Sequence, residues 1–283
     1  MGAIETLVRK TLARPVPADI RAMAEAVTTG RDGIVAVLAY GSSLRGVAPG
    51  ETLIDLYLLT EDLAGVSTNP ISRLACGLAP PNVYYAETSH EGRTLRAKCA
   101  VVPLAGFTAR MRASNPYFWA RFAQPSALIF AANEEKVVAA VTEATRAMYG
   151  HALAIAPGRT DLDVWRQGFA HTYGTELRSE NGNERAAAIV AANADYYAAA
   201  ALALRDVTPR RANWARLRAF GKLWSIARLF KAAFTFSGGV DYIVWKIERH
   251  SGEKIVLTPW QRRHPLLAAP LLLPRLLRRG AVR

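Results

Sequence analysis

Apolar residues recur along this chain at two different spacings, and the change from one to the other divides it. Residues 3–29 place them three and four apart, the period of an amphipathic helix, around a break at Pro15 and Pro17. Residues 33–40 and 52–60 are short, almost uninterrupted apolar runs, which predicts two buried strands. Val83-Tyr84-Tyr85 and residues 94–102 carry the β-branched and aromatic content of two further strands, and Ser89-His90-Glu91-Gly92-Arg93 between them has hairpin character. From about residue 104 helical spacing takes over, in segments 104–123, 133–149, 161–177, 184–204 and 212–232. Pro125, Pro157-Gly158, Asn181-Gly182-Asn183 and Pro209 punctuate them. The expected fold class is therefore α+β: a mixed sheet with flanking helices over 1–130, a helical domain over 131–240 that completes a cleft, and a basic amphipathic segment over 241–283.

Composition narrows the function classes. The chain has 283 residues, enough for one large or two modest cores. Its formal charge of +13 calls for an anionic partner, which nucleic acid, anionic lipid and nucleotide all satisfy. Cys76 and Cys99 stand far apart in apolar surroundings without metal-ligand spacing, so both read as reduced core residues. The first residues include Glu5 and no apolar block, unlike a secretory signal. No apolar run reaches the roughly 20 residues needed to span a bilayer.

Candidate chemistry lies in Tyr40-Gly41-Ser42-Ser43 and in Asp55, which interrupts the apolar strand Leu53-Ile54-Asp55-Leu56-Tyr57-Leu58-Leu59. Gly41, lacking a Cβ, lets backbone approach a phosphate closely. The hydroxyls and N–H groups of Ser42 and Ser43 are phosphate donors. A carboxylate in an apolar strand is costly unless it is paired or binds a metal, and a hard cation such as Mg2+ suits it. The alternative is a turn serine pair and a strand Asp held by an arginine. Nucleotidyltransferase folds hold a nucleoside triphosphate and its metal with this arrangement, and many add a second carboxylate two residues on. Here that position is Tyr57.

Several segments in order resemble one family, the translocator-assembly-and-maintenance type of phosphatidate cytidylyltransferase, the peripheral CDP-diacylglycerol synthase of mitochondria and its bacterial relatives. The resemblance spans roughly residues 35–245. It runs through Tyr40-Gly41-Ser42, Ile54-Asp55-Leu56, Asn82-Val83-Tyr84-Tyr85, the strand around Lys98, the segment from Asn115-Pro116-Tyr117 through Arg121 to Pro125, and Tyr173-Gly174-Thr175-Glu176-Leu177-Arg178-Ser179-Glu180-Asn181. Ser179 stands where the family has Gly, and the family also carries an apolar or aromatic residue at the position of Tyr57. The resemblance implies CTP and phosphatidic acid as substrates, CDP-diacylglycerol and pyrophosphate as products, and Mg2+ or another divalent cation as cofactor. It implies a peripheral enzyme on the cytoplasmic face of a bacterial inner membrane, with an anionic membrane surface as partner, no nucleic acid, and a homodimer allowed. The implied roles place Tyr40, Gly41, Ser42 and Ser43 on the triphosphate, Asp55 on the metal, and Lys98 and Arg121 on phosphate charge. Glu176, Glu180 and the intervening Arg178 would complete the metal or substrate site from the helical half.

Each assignment has a structural alternative: Lys98 snorkelling from a strand edge, Arg121 in a structural ion pair, and Glu176 with Glu180 on a solvated helix face. The five histidines are scattered and do not suggest a metal cluster. Residues 260–279 mix leucines, prolines and arginines in the manner of an interfacial segment. Two rival functions remain, nucleotidyl transfer to RNA or protein, and a catalytically silent scaffold.

Overall fold

The computed structural model describes residues 2–45, 53–176, 181–235 and 256–263. Helices α1 (Ala3–Leu12) and α2 (Ala18–Thr28) precede strand β1 (Ile34–Tyr40), a 3-10 turn at Ser42–Arg45 and strand β2 (Ile54–Thr60). Then follow α3 (Pro70–Leu78), β3 (Asn82–His90), β4 (Arg93–Pro103), α4 (Leu104–Arg110), α5 (Trp119–Phe122) and β5 (Ala127–Ala131). The helical half comprises α6 (Glu134–Ile155), α7 (Asp161–Tyr173), α8 (Gly182–Ala191), α9 (Ala194–Ala203) and α10 (Trp214–Thr235), with a short helix at Pro259–Arg263.

The five strands form one sheet in the order β3-β4-β2-β1-β5, with β2 and β4 parallel and the other pairs antiparallel. This is the mixed sheet and α+β class that the periodicities predict. The β3–β4 hairpin turns at Glu91 and Gly92, both with positive φ (48° and 72°), which Gly92 adopts without steric cost. The reading of the sequence omitted α3 and β5. Strand β5 is only five residues, Ala-Leu-Ile-Phe-Ala, lying between helical segments, and what makes it a strand is pairing with β1 from Ala36 to Ala39. Helix α3 is started by Asn69, whose side chain accepts from the N–H groups of Ile71 and Ser72, with Pro70 in the first turn.

Three expected helices also differ. Segment 104–123 is two helices, because Pro116 cannot continue a helix and the Asn115 side chain accepts from the N–H of Tyr117 at 3.0 Å. Segment 184–204 is α8 and α9, which meet at 85°. Segment 161–177 ends at Tyr173. No single helix among the described residues is long and apolar enough to cross a membrane.

Side chains alternate across the sheet, so its faces have separate fates. Val37, Ala39, Leu56, Leu58, Cys99 and Val101 lie in one cluster with Ile20 and Met23 of α2 and Cys76 of α3. Both cysteines are free and buried. Ala36, Leu38, Tyr57, Leu59, Ala100 and Val102 face the other way, into a core with Phe107, Phe122, Val141, Trp165 and Tyr197. That second core runs without interruption from the sheet into the helices beyond residue 130. Arg9 of α1 adds a tie across the same boundary, reaching Glu134 at 3.2 Å and Glu135 at 2.6 Å at the start of α6.

Candidate active site

Strand register puts the sequence-predicted residues side by side. Tyr40 pairs with Asp55, Asp55 with Lys98, and Lys98 with Tyr85. Registered neighbours share a face, so these four side chains form one row across β1, β2, β4 and β3. Tyr57 follows Asp55 by two residues, which places the row on the face that carries the helical half. Lys98 therefore stands on an inner strand of the sheet, and the strand-edge alternative for it does not hold.

Immediately after β1 the chain turns through Gly41, whose φ is +84°. A Cβ built there would lie 3.0 Å from Oδ2 of Asp55. Two independent constraints thus favour glycine: the left-handed backbone and the carboxylate beside it. Ser43 is buried, and its hydroxyl turns back toward the Tyr40 carbonyl at 3.4 Å. The Ser42 hydroxyl makes no hydrogen bond to the described residues and lies next to the Gly41 turn.

Asp55 has no ion-pair partner within 4 Å among the described residues. Burial lifts its carboxyl above the ordinary aspartate range, and the charges of Lys98, Arg121 and Arg185 pull in the opposite direction. A desolvated carboxylate surrounded by cations at one remove has room for a cation or a hydrogen-bond donor against it. Mg2+ typically takes one or two protein carboxylates and fills its octahedron with water and substrate phosphate oxygens, so Asp55 with a nucleotide fits such an ion. No group of three His, Cys, Asp or Glu side chains converges among the described residues, so an all-protein cage is not formed there.

The position where a second acid would stand is core. Tyr57 is 1% exposed, with its ring edge-on to Tyr40, Phe118 and Phe122 at 5.3, 6.1 and 4.9 Å. A carboxylate in that aromatic cluster would be stripped of water without a partner. The aromatic residue is thus what the packing of the sheet on α4 and α5 requires.

Glu176, from the helical half, meets Arg121 on the sheet side of the molecule. Arg121 of α5 donates to Oε2 of Glu176 at 2.9 Å and to the Tyr117 carbonyl, and its guanidinium carbon lies 3.7 Å from the Tyr117 ring centroid. Burial disfavours its charge, but Glu176 and then Tyr117, Tyr57 and Tyr40 more than offset this and hold it protonated. Glu176 and Arg121 are each only 16% exposed. Glu176 stands beyond the end of α7, in a turn where its N–H reaches the Tyr173 carbonyl at 3.2 Å. Glu180 and Arg178 lie outside the described residues, as do 241–255 and 264–283 of the expected C-terminal segment.

The sequence predicts the helix at 212–232 but assigns none of its residues to the site. Arg228 places its guanidinium carbon 3.4 Å from the Tyr117 ring centroid, so two arginines lie against one ring. Burial chiefly, and Arg121 further, bring its pKa below the usual guanidinium value, with Tyr117 and Glu176 opposing. Gly221, two turns earlier on the same helix face, brings α10 against the turn before Glu176: a Cβ there would lie 2.2 Å from the Thr175 carbonyl oxygen. Lys231 donates to the carbonyls of Ala79 and Pro81 and to the Asn82 side chain, fastening α10 to the start of β3. The available signal was the pattern of α10 itself, whose cations interrupt both sides of an otherwise apolar helix. Lys98, Arg121, Arg185 and Arg228 gather around Asp55 and Glu176, an excess of positive charge suited to phosphates.

No family model matches the chain, and no curated protein does. Among solved structures it is similar to a nucleotidyltransferase-like protein from Exiguobacterium sibiricum 255-15, with 11% sequence identity over 92% of this chain and 91% of that one, at a TM-score of 0.28. A likeness at that level carries nothing about chemistry, so the site is interpreted from its own residues.

Proposed function

We propose that the protein is a nucleotidyltransferase, and specifically a phosphatidate cytidylyltransferase that forms CDP-diacylglycerol and pyrophosphate from CTP and phosphatidic acid at a membrane surface. The observation that carries the transferase reading is the Gly41 turn set against Oδ2 of Asp55, with Lys98 next in the row and Arg121 across the cleft. The choice of CTP and phosphatidic acid rests on the order of motifs from Tyr40 to Asn181.

In this reading a phosphate oxygen of phosphatidic acid attacks the α-phosphorus of CTP. A new P–O bond forms, the bond to the β-phosphate breaks, and the electron pair leaves on pyrophosphate. The attacking phosphate is already ionised near neutral pH, so no strong general base is needed, and positioning with charge neutralisation does the work. Gly41 and Ser42 hold the triphosphate against the end of β1. Lys98 and Arg121 neutralise phosphate charge, while Glu176 fixes the Arg121 fork and Tyr117 stacks on it. Arg228 adds a second cation to the same wall. Asp55 would hold the divalent cation, which supplies charge neutralisation on the triphosphate when bound.

The test is purified protein with CTP, Mg2+ and phosphatidic acid in mixed micelles, following CDP-diacylglycerol. Turnover that Asp55→Ala abolishes is the expected result. No product with any divalent metal, together with nucleotide transfer to RNA or protein, would assign the fold to a different acceptor. Nucleotide binding without any transfer would leave a silent scaffold.

A further inference from the structure

Away from Asp55 a cavity of about 630 Å3 opens between the α4–α5 connection, α6 and the start of α10. Its lining includes Arg112, Arg210, Arg211 and Arg216 with Asn115, and no Asp or Glu. Glu143 reaches Arg210 at 3.4 Å from outside that lining. Four guanidinium groups around one concavity repel one another unless an anion joins them, and the planar donor fork of arginine matches phosphate oxygens.

Phe220 lines the cavity on one side and is 60% exposed, and it begins a second feature. Along α10 the side chains of Phe220, Leu223, Trp224 and Ile226 are 60%, 62%, 38% and 54% exposed, with Arg216, Arg218 and Lys222 exposed among them. The helix contains no acidic residue. Monomeric surfaces seldom leave such a contiguous apolar stripe open without a use. Arg216 lies 5.4 Å from the Phe220 ring, joining cation to stripe.

We propose that this cavity and the outer face of α10 form one docking site for an anionic bilayer, with a lipid phosphate among Arg112, Arg211 and Arg216 and the apolar stripe entering the headgroup boundary. The occupant is fixed by the pairing of features: a phosphate-binding concavity explains the arginines alone, while only a ligand that is anionic at one end and apolar at the other uses both. The site is separate from the Asp55 cleft and does not depend on the reaction proposed above.

The probe is a vesicle of phosphatidylcholine with or without phosphatidylglycerol, a lipid that is not the proposed substrate, sedimented with the full chain at moderate salt. Wild type should bind the anionic vesicles, and R112Q/R211Q/R216Q and L223S/W224S should each lower the partition coefficient about tenfold or more. An Arg-to-Lys triple variant, which keeps the charge, should recover most of the binding and shows that the fold is intact. Wild-type vesicle binding by both variants would overturn the proposal. So would loss of single-stranded RNA binding in the arginine variant with vesicle binding unchanged. Because phosphatidylglycerol is not consumed, these outcomes are independent of whether CDP-diacylglycerol is made.

Discussion

Helices α6 and α10 each contain 22 residues, and their described side chains are arranged differently about the core. Helix α6 buries Val137, Val138, Val141, Ala144 and Met148, with its acids and Lys136 outward at a start capped by Asn133. Helix α10 turns Phe220, Leu223 and Trp224 outward and sends Arg228 and Lys231 inward, to Tyr117 and to the carbonyls before β3. A helix that holds a fold together obeys the usual rule of apolar faces toward the core. Among the described side chains of α10, Trp214 packs against the core, and further along lie a glycine contact, three lysine hydrogen bonds and a cation stacked on a ring. The expected division of labour is that α6 carries stability and α10 carries charge to the cleft.

The largest effect should come from emptying the core beside α6. Trp165 of α7 is fully buried, with its ring 4.9 Å from Tyr149 and its indole N–H donating to the Tyr197 carbonyl at 2.9 Å. Trp165→Ala should lower unfolding stability by about 3–5 kcal/mol in urea titrations. A loss below about 1 kcal/mol would show that α6 and its neighbours are not the stabilising half.

Next is the tight contact of α10 at Gly221. Gly221→Ala must push α10 off the Thr175 carbonyl, at a cost of about 1–3 kcal/mol typical of overpacking. Because Glu176 follows Thr175, the same shift should disturb the Arg121 pair. Nucleotide affinity, read by calorimetry, is expected to fall along with stability, whereas Gly168→Ala between α6 and α7 should lower stability alone. Equal nucleotide affinity in both variants would separate α10 from the site.

Much of this arrangement was legible in the sequence, and the missing parts share a cause. Strands β1 and β2 declare themselves through continuous apolar runs, and Gly41 with Asp55 stands out because a carboxylate and a glycine break those runs. The contribution of α10 is set by tertiary contact: Arg228 and Lys231 are ordinary basic residues until Tyr117 and the Ala79 carbonyl are placed against them. Strand β5 was hidden for the same reason, since five residues acquire strand character only from β1. The end of α7 is likewise dictated by the neighbouring turn at Gly174 and Thr175, where α10 crosses, and periodicity within 161–177 carries no record of that crossing.

A smaller and oppositely signed effect is expected at Asp55. Its folded carboxyl titrates above its unfolded value, so the folded chain binds the proton more tightly. The stabilisation this gives is complete below the unfolded pKa and is lost as pH rises through the folded one, leaving the ionised group a burden at neutral pH. Asp55→Asn should therefore raise the thermal midpoint at pH 7 and remove turnover, a trade of stability for function. A lowered midpoint in Asp55→Asn would mean that the carboxylate is structurally paired.

The smallest effect should come from the outer face of α10, and it is the most discriminating for the comparison. Leu223 is 62% and Trp224 38% exposed, so L223S/W224S removes only part of each side chain's burial and should change unfolding stability by no more than about 1 kcal/mol. Two serines at Val138 and Val141 on α6, both buried, should cost several times more, because each site loses its burial and leaves a hydroxyl to satisfy. If the α10 pair proved as costly as the α6 pair, its apolar face would be a packing surface for part of this chain, and the vesicle-docking role would lose its structural basis. Near-neutral stability together with weakened vesicle binding is what an exposed apolar stripe predicts: Leu223 and Trp224 can be rewritten without unfolding the protein, because the contacts that seat α10 are made by Gly221, Arg228 and Lys231.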